Sequence, residues 1–540
     1  GFQTGGEIMK LVAPVYKLNP LQERILEFRG YNKKSVIDDG EMRDMYNLSS
    51  DEFPCLYQRK PRGIYSESFV HPTAMIVKNK KLAVISEGRF YYDGKMYPKL
   101  SLSDDTKMVA INTRICFFPE KMFFNTNTGD VGSLSASAVA ENITVTVTTS
   151  TLSVPTGTGL SLSGLFKTDD VVQVAASDSK LNVSAVVKAV SENEITFPDE
   201  TFIDLVASGE TSAEISVSSI KFERGCPDLD YVMESNNRLW GVSNKDNTIY
   251  ACKLGDPTNW QYFQNTAVDS YYAEQGTDGE WTGCAAYSTH MLFFKEDYIH
   301  KVYGSKPATY QVESAQCHAL EKGSDKSIAI INETVLYKSR LGIMAYSGGI
   351  PVLISDNFGT DKYVDAVAGT DGIKYYVSLI RDGAPELLVF DMEKTLWHKE
   401  DSVRVRDFCY HNGKLLYIND DDGVIYEMAS EKPMPEETDI KWRAQLGPFD
   451  EFIEDKKIYS KIKMRMKLAE LAEVDVYISI DDGEWEWQEH VIADRETAHF
   501  LPIVPRRCSR FAVKLEGTGY CKVESLVREY RQGTARRDVR

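Results

Sequence analysis

The chain has 540 residues, more than one core sustains, so two to four domains are expected. Hydrophobic residues make up 42 % and charged residues 26 %, an ordinary globular composition that excludes a disordered or fibrous chain. Lys and Arg total 62 against 80 Asp and Glu, a net charge of −18, which excludes a protein gripping nucleic acid over its whole surface but not one past which DNA slides.

At the N-terminus, residues Gly1 to Ile8 are polar and glycine-rich, with no apolar stretch behind a basic start, so no secretion signal is expected there. No run of some 18 apolar residues is present, so no membrane span is expected. The nine cysteines are scattered without a CxxC pair, which fits folding in a reducing cytosol better than a disulfide framework. Asn19-Pro20 leading into Leu21–Leu26 predicts a short helix, and Glu41–Met45 a second helical turn.

From there on, alternation with period two dominates, punctuated by turn dipeptides such as Asp93-Gly94, Asn412-Gly413, Asp422-Gly423 and Asp482-Gly483. Strand pairs are read at 81–97, 114–125, 238–253, 290–303, 333–346, 374–390 and 414–426. In the second half their starts are spaced by roughly 40–50 residues, the length of one four-stranded propeller blade. The expected fold is therefore mainly β: a β-propeller of six or seven blades, with an array of sandwiches as the alternative.

Two stretches interrupt the rhythm. Residues 131–220 are rich in Ser, Thr, Val and Ala and contain no Tyr, Trp or Arg. They read as an inserted small domain hung from a loop where insertions are tolerated, and its core phrases, Phe166–Val172, Ala189–Ser191 and Glu194–Phe197, resemble a small β-barrel module common in phage structural proteins. A Pro/Glu-rich linker, 431–438, precedes clean alternation in 461–468 and 474–480, which predicts a C-terminal β-sandwich. The expected division is an N-terminal arm (1–65), a propeller (66–130 and 221–434), the insert (131–220), the sandwich (435–527) and a basic tail (528–540).

Catalytic patterns are largely missing. Gly30-Tyr31-Asn32-Lys33-Lys34-Ser35 lacks the second glycine of a phosphate loop, and Gly157-Thr158-Gly159 reads as a turn. Asn419-Asp420-Asp421-Asp422-Gly423 invites a calcium-loop reading, but that register puts Ile418 and Ala429 where carboxylates are needed, so a polar hairpin is expected. His71, His290, His300, His318, His398, His411, His490 and His499 form no HExxH and no i,i+4 pair, and no GxSxG occurs. Ser479–Trp487 is similar to the Asp-box of sialidase propellers, itself a hairpin device. No catalytic residue, cofactor or metal is expected, and the chain is read as not an enzyme. A propeller glycosidase, kept as a minor alternative, would place clustered carboxylates and arginines at the propeller axis.

A resemblance comes from both ends and the middle: Phe28–Asn32, Asp39–Leu48, Phe53–Leu56 and Arg59–Gly63, then Gly255-Asp256-Pro257-Thr258-Asn259-Trp260, then Leu501–Cys508 and Phe511–Gly519. Together they resemble virion structural proteins of tailed bacteriophages and, more distantly, the β-propeller nozzle and hub proteins of short phage tails. The resemblance implies a homohexameric ring below portal and adaptor proteins, contacts to fibres or distal tail proteins, and double-stranded DNA passing through the lumen without sequence-specific binding. It also implies a place in the virion tail after synthesis in the host bacterial cytoplasm. The final segment carries Arg528, Arg531, Arg536, Arg537 and Arg540 against Glu529 and Asp538, which makes these arginines candidate subunit contacts, with a frayed terminus as the alternative. A receptor- or glycan-binding tail protein is the second functional class, and it would expose Trp and Tyr on the insert or the sandwich.

Overall fold

The computed structural model describes residues 19–469, 471–492 and 497–532. It is mainly β, and its one α-helical turn is Leu162–Leu165. Seven four-stranded antiparallel sheets follow one another along the chain. Their first strands are Pro72–Lys78, Lys107–Ile111, Tyr231–Ser235, Trp281–Ala286, Ala329–Ile331, Val364–Thr370 and Val405–His411. Each of the seven hairpins read from the sequence falls within one of these sheets. The turns form where local chemistry demands them: Asp93 (φ 54°) and Gly94 (φ 76°), and Asn412 (φ 49°) and Gly413 (φ 81°), are consecutive left-handed pairs in two-residue hairpins.

Successive first strands lie against one another, the fourth and fifth through the turn Asp325–Ser327, and the seventh lies against the first. The seventh sheet takes its outer strand from the other end of this region: Gly63–Ser66 pairs with Ile425–Glu427. Apolar clusters fill the gaps between sheets. Trp260, at the end of the Gly255–Trp260 turn, packs between the second and third sheets with Val109, Phe118 and Leu239.

The Ser/Thr-rich region is one seven-stranded sheet with its own core, which includes Phe166, Val172, Leu181 and Phe222. Its bounding strands, Ala136–Val147 and Ala213–Arg224, pair from Ala136↔Arg224 onward, so the insertion leaves and rejoins the chain at neighbouring positions. Val131–Ser133, expected in the insert, completes the second four-stranded sheet instead.

Two six-stranded sheets stand beyond the linker. The front sheet runs Gly30–Tyr31, Glu41–Tyr46, Lys441–Phe449, Phe511–Thr518, Glu473–Ile480, Glu486–Ile492. In the back sheet Cys521–Gln532 pairs with Leu21–Ile25, Leu56–Gln58 and Lys457–Leu468, and Lys457–Leu468 pairs with Thr497–Cys508. Inward Met464 and Met466 meet inward Val476, Ile478 and Val513 in a core continuous with Tyr375 and Trp397 of the sixth sheet.

The described part of the expected N-terminal arm is thus woven into these sheets. The predicted helix at 21–26 is a strand, because the backbone of 526–530 supplies a full ladder. The predicted turn at 41–45 is also a strand, and a bulge between Met42 and Asp44 gives its buried methionines a three-residue spacing that imitates a helix. Residues 1–18 and 533–540 of the arm and tail lie outside the described residues.

Candidate functional site at the centre of the sheets

The chain between the fourth and fifth sheets turns into the centre. Ser324 and Ser327 are fully buried and pin it: Tyr375 Oη donates to Ser327 O (2.7 Å), and the Lys338 amide donates to Ser327 Oγ (2.9 Å). Between them Asp325 Oδ2 accepts from Lys107 Nζ (3.0 Å), while Lys326 Nζ donates to Arg406 O (3.0 Å) and Thr73 O (3.3 Å). One turn thereby holds five of the seven sheets, and Gly283 of the fourth stands where a Cβ would strike Leu320.

Beside the turn opens a cleft of about 470 Å³ lined by Asp104, Asp105, Lys107, Asp325, Arg406 and Asp407 among others. Asp407 accepts from the Met75 amide (2.7 Å) and the Phe408 amide (3.1 Å). Burial raises its carboxyl above the usual range, and the Asp325 charge adds to this, against the opposing Lys326. Lys107 Nζ sits 3.5 Å from the centroid of the Tyr231 ring. Carboxylates and cations therefore converge beside this turn. The bond from the Met75 amide gives Asp407 a structural duty, since it ties the first strand of the first sheet to that of the seventh. No motif marks these residues in the sequence; they converge from segments hundreds of residues apart.

Two further buried charge clusters join the units. Arg59 makes a fork to Glu437 (2.6 and 2.9 Å) in the linker turn, and Arg62 meets Asp401 (2.6 Å) and Glu400 (3.1 Å) while its guanidinium lies 5.2 Å from the Tyr417 ring centroid. Burial alone would raise the Glu400 carboxyl; His398, Arg62 and Arg59 outweigh it and hold it at about 2. At the insert, Asp170 pairs with Arg224 (2.5 Å) and Asn259 Nδ2 donates to Asp170 Oδ1 (3.3 Å). Next to it Asp256 pairs with Lys167 (2.9 Å) and lies 3.7 Å from Arg114. Burial works against the Asp256 carboxylate too, but bonds from Thr258 and Lys167 hold it down at about 2.

The candidate subunit contacts divide. Arg528 is fully buried, with its guanidinium on Asp39 (2.7 Å) and Glu451 (2.8 Å) and 3.6 Å from the Phe449 ring centroid. It cannot reach a neighbour, because its strand runs through the middle of the back sheet; this corrects the expectation. Arg531 is exposed at the strand's end, and Arg536, Arg537 and Arg540 lie outside the described residues.

Among the described residues no group of three or more His, Cys, Asp or Glu is placed to hold a metal. The 419–423 turn spends its acids locally: Asp422 accepts from Tyr426 Oη (2.7 Å) and Asn419 Nδ2 (3.0 Å), and Asp420 pairs with Arg404 (3.0 Å). The Asp-box-like stretch is a hairpin in the front sheet, with Ser479 Oγ donating to Gly483 O (2.7 Å) and Asp481 accepting from the Ser509 amide (2.6 Å).

No family model and no curated protein matches the chain. Solved structures similar to it include PorZ, a surface component of the type-IX secretion system of Porphyromonas gingivalis (10 % identity, 87 % of this chain and 82 % of that one, TM-score 0.27). Hsv2 of Kluyveromyces lactis matches at 8 % identity over 60 % of this chain and 95 % of that one, TM-score 0.26. An exo-β-1,3-galactanase of Phanerochaete chrysosporium matches at 9 % identity over 55 % of this chain and 94 % of that one, TM-score 0.21. Likenesses this weak carry no argument about activity. The expectation that the chain is not an enzyme is nevertheless corrected: an exo-β-1,3-galactanase stands among the similar structures.

Proposed function

We propose that the seven four-stranded sheets are the blades of a β-propeller closed by Gly63–Ser66, that the insert is a barrel-like module, and that the front and back sheets form a sandwich. We further propose that the chain is a structural subunit of a bacteriophage tail, in the nozzle or hub ring below portal and adaptor. The observation that carries this reading is the weaving of the chain's two ends. Strands Leu21–Ile25 and Cys521–Gln532 share one sheet, Glu41–Tyr46 and Lys441–Phe449 the other, and buried Arg59 and Arg62 lock that body to the closing blade. A body so braced suits a wall that bears load. Most of the phrases that resemble phage structural proteins lie in the front and back sheets.

The turn 325–327 fills the propeller centre, so DNA would pass between subunits, in the lumen of a ring closed by heterologous contacts. The net charge of −18 supports an acidic lumen wall that repels phosphates and keeps transit from stalling. Native mass measurement of the purified chain, alone and with portal–adaptor particles, tests the reading. Closed hexameric rings are expected on the particles. A chain that stays monomeric and never joins them would overturn it.

A further inference from the structure

The outer face of the front sheet carries two adjacent rows of side chains across five strands. Cross-strand register aligns Trp487, Tyr477, Lys514, Gln445 and Asp44 in one row. It aligns His490, Asp475, Glu516, Arg443 and Tyr46 in the next. With strands about 4.8 Å apart, each row spans ~19 Å. Trp487 is 57 % exposed, and Lys514 Nζ lies 4.3 Å from the Tyr477 ring centroid and 5.4 Å from that of Trp485. The aromatics therefore form a platform at one end of a polar strip.

The charges of these two rows are already paired. Trp487 Nε1 donates to Asp475 Oδ1 (3.0 Å), which also meets His490 Nδ1 (3.0 Å); Lys514 pairs with Glu516 (2.9 Å) and Arg443 with Asp44 (2.6 Å). Within the two rows a polyanion such as nucleic acid would meet only cations already paired with carboxylates, with the exposed Lys441 standing beside the second row. A neutral ligand rich in hydroxyls finds fixed donors and acceptors beside apolar ring faces. A cleft of about 500 Å³ lies along the second row, lined by Tyr46, Arg443, Asp475, Glu516 and buried Trp442. The Trp442 indole N–H, in a core residue only 2 % exposed, has no acceptor among the described residues.

We infer that this face is a glycan-binding site that takes an extended, neutral, β-1,4-linked saccharide chain. The sugar's flat C–H faces stack on Trp487 and Tyr477, and its hydroxyls engage Asp475, Glu516 and Arg443 along the strip. An extended β-1,4-linked chain can follow a row ~19 Å long across five strands, whereas a coiled α-linked chain cannot. The inference stands on the face's own geometry and does not depend on ring formation.

The test is calorimetric titration of the full chain with chitohexaose, cellohexaose and maltohexaose. Binding of chitohexaose or cellohexaose is expected, with maltohexaose at least tenfold weaker. Trp487→Ala and, separately, Tyr477→Ala should each weaken the binding at least tenfold with unchanged thermal melting, because both side chains lie outside the core. Absence of binding by both β-1,4-linked hexasaccharides at millimolar concentration would overturn the inference. So would maltohexaose binding as tightly as they do, or either folded variant binding as tightly as the unaltered chain.

Discussion

Arg62 Nη1 and Asp401 Oδ2 stand 2.6 Å apart with only 2 % and 8 % of their side chains exposed, and that pair joins the N-terminal segment to the connection between the sixth and seventh sheets. Removing one partner of a buried pair leaves the other charge uncompensated. Arg62→Met is expected to cost about 3–5 kcal/mol, because Glu400 and Asp401 would both lose their nearest cation and keep only the longer contact of Asp401 with Arg59 (3.7 Å) and of Glu400 with His398 (3.8 Å). Arg62→Lys recovers part of the loss, since an ammonium cannot serve two carboxylates in one plane. Urea unfolding monitored by tryptophan fluorescence measures both.

Arg528 and Arg531, three residues apart on one strand, should behave oppositely. Arg528→Met strands Glu451 in the core and should destabilise by about 3–5 kcal/mol, whereas exposed Arg531→Ala should change stability by less than about 0.5 kcal/mol. If Arg531 is a subunit contact, its substitution shifts ring assembly, read by native mass measurement, and leaves unfolding untouched.

Stability should fall with acid in two stages. Burial, helped by the charge of Lys301 for one and Lys295 for the other, holds His290 and His300 down at about 4, against 6.5 when unfolded. The unfolded chain therefore takes up protons from pH 6.5 downward while the folded chain does not until near pH 4, so stability drops across that window. Glu400 and Asp256, held at about 2 against 4.5 and 3.8, give a second loss as pH falls toward 2. Melting temperature against pH should be flat above about pH 7 and decline below it. His300→Gln, which keeps polar groups for Thr277 and Ser314, should flatten the first stage.

The insert should be removable. Ala136 and Arg224 are cross-strand partners, so a short Gly-Ser bridge between 135 and 225 spans the gap. The remaining chain should melt cooperatively with the sheet content of the seven four-stranded sheets and the front and back sheets, because Asp256 still has Arg114 nearby. Loss of cooperative melting by circular dichroism would show that the insert carries the fold.

What the sequence determined by itself was local. Alternation and left-handed turn pairs such as Asp93-Gly94 and Asn412-Gly413 are settled within a few residues, so the seven hairpins, the insert and the double-sheet region after the linker were legible. The fate of 21–25 was not, because its ladder is supplied by 526–530, some 500 residues away, and no local propensity encodes a partner at that distance. The bulge at Met42–Asp44 disguised a strand as a helical turn for a related reason: its spacing follows from the strand it pairs with. Only the tertiary structure decided that Arg528 is a core ion pair, that Asp325 and Asp407 share a central cleft, and that Trp487, Tyr477 and Asp475 line one face. Each is a matter of long-range convergence and burial, which set the partners of a charge or an aromatic ring and leave no trace in the residues beside it.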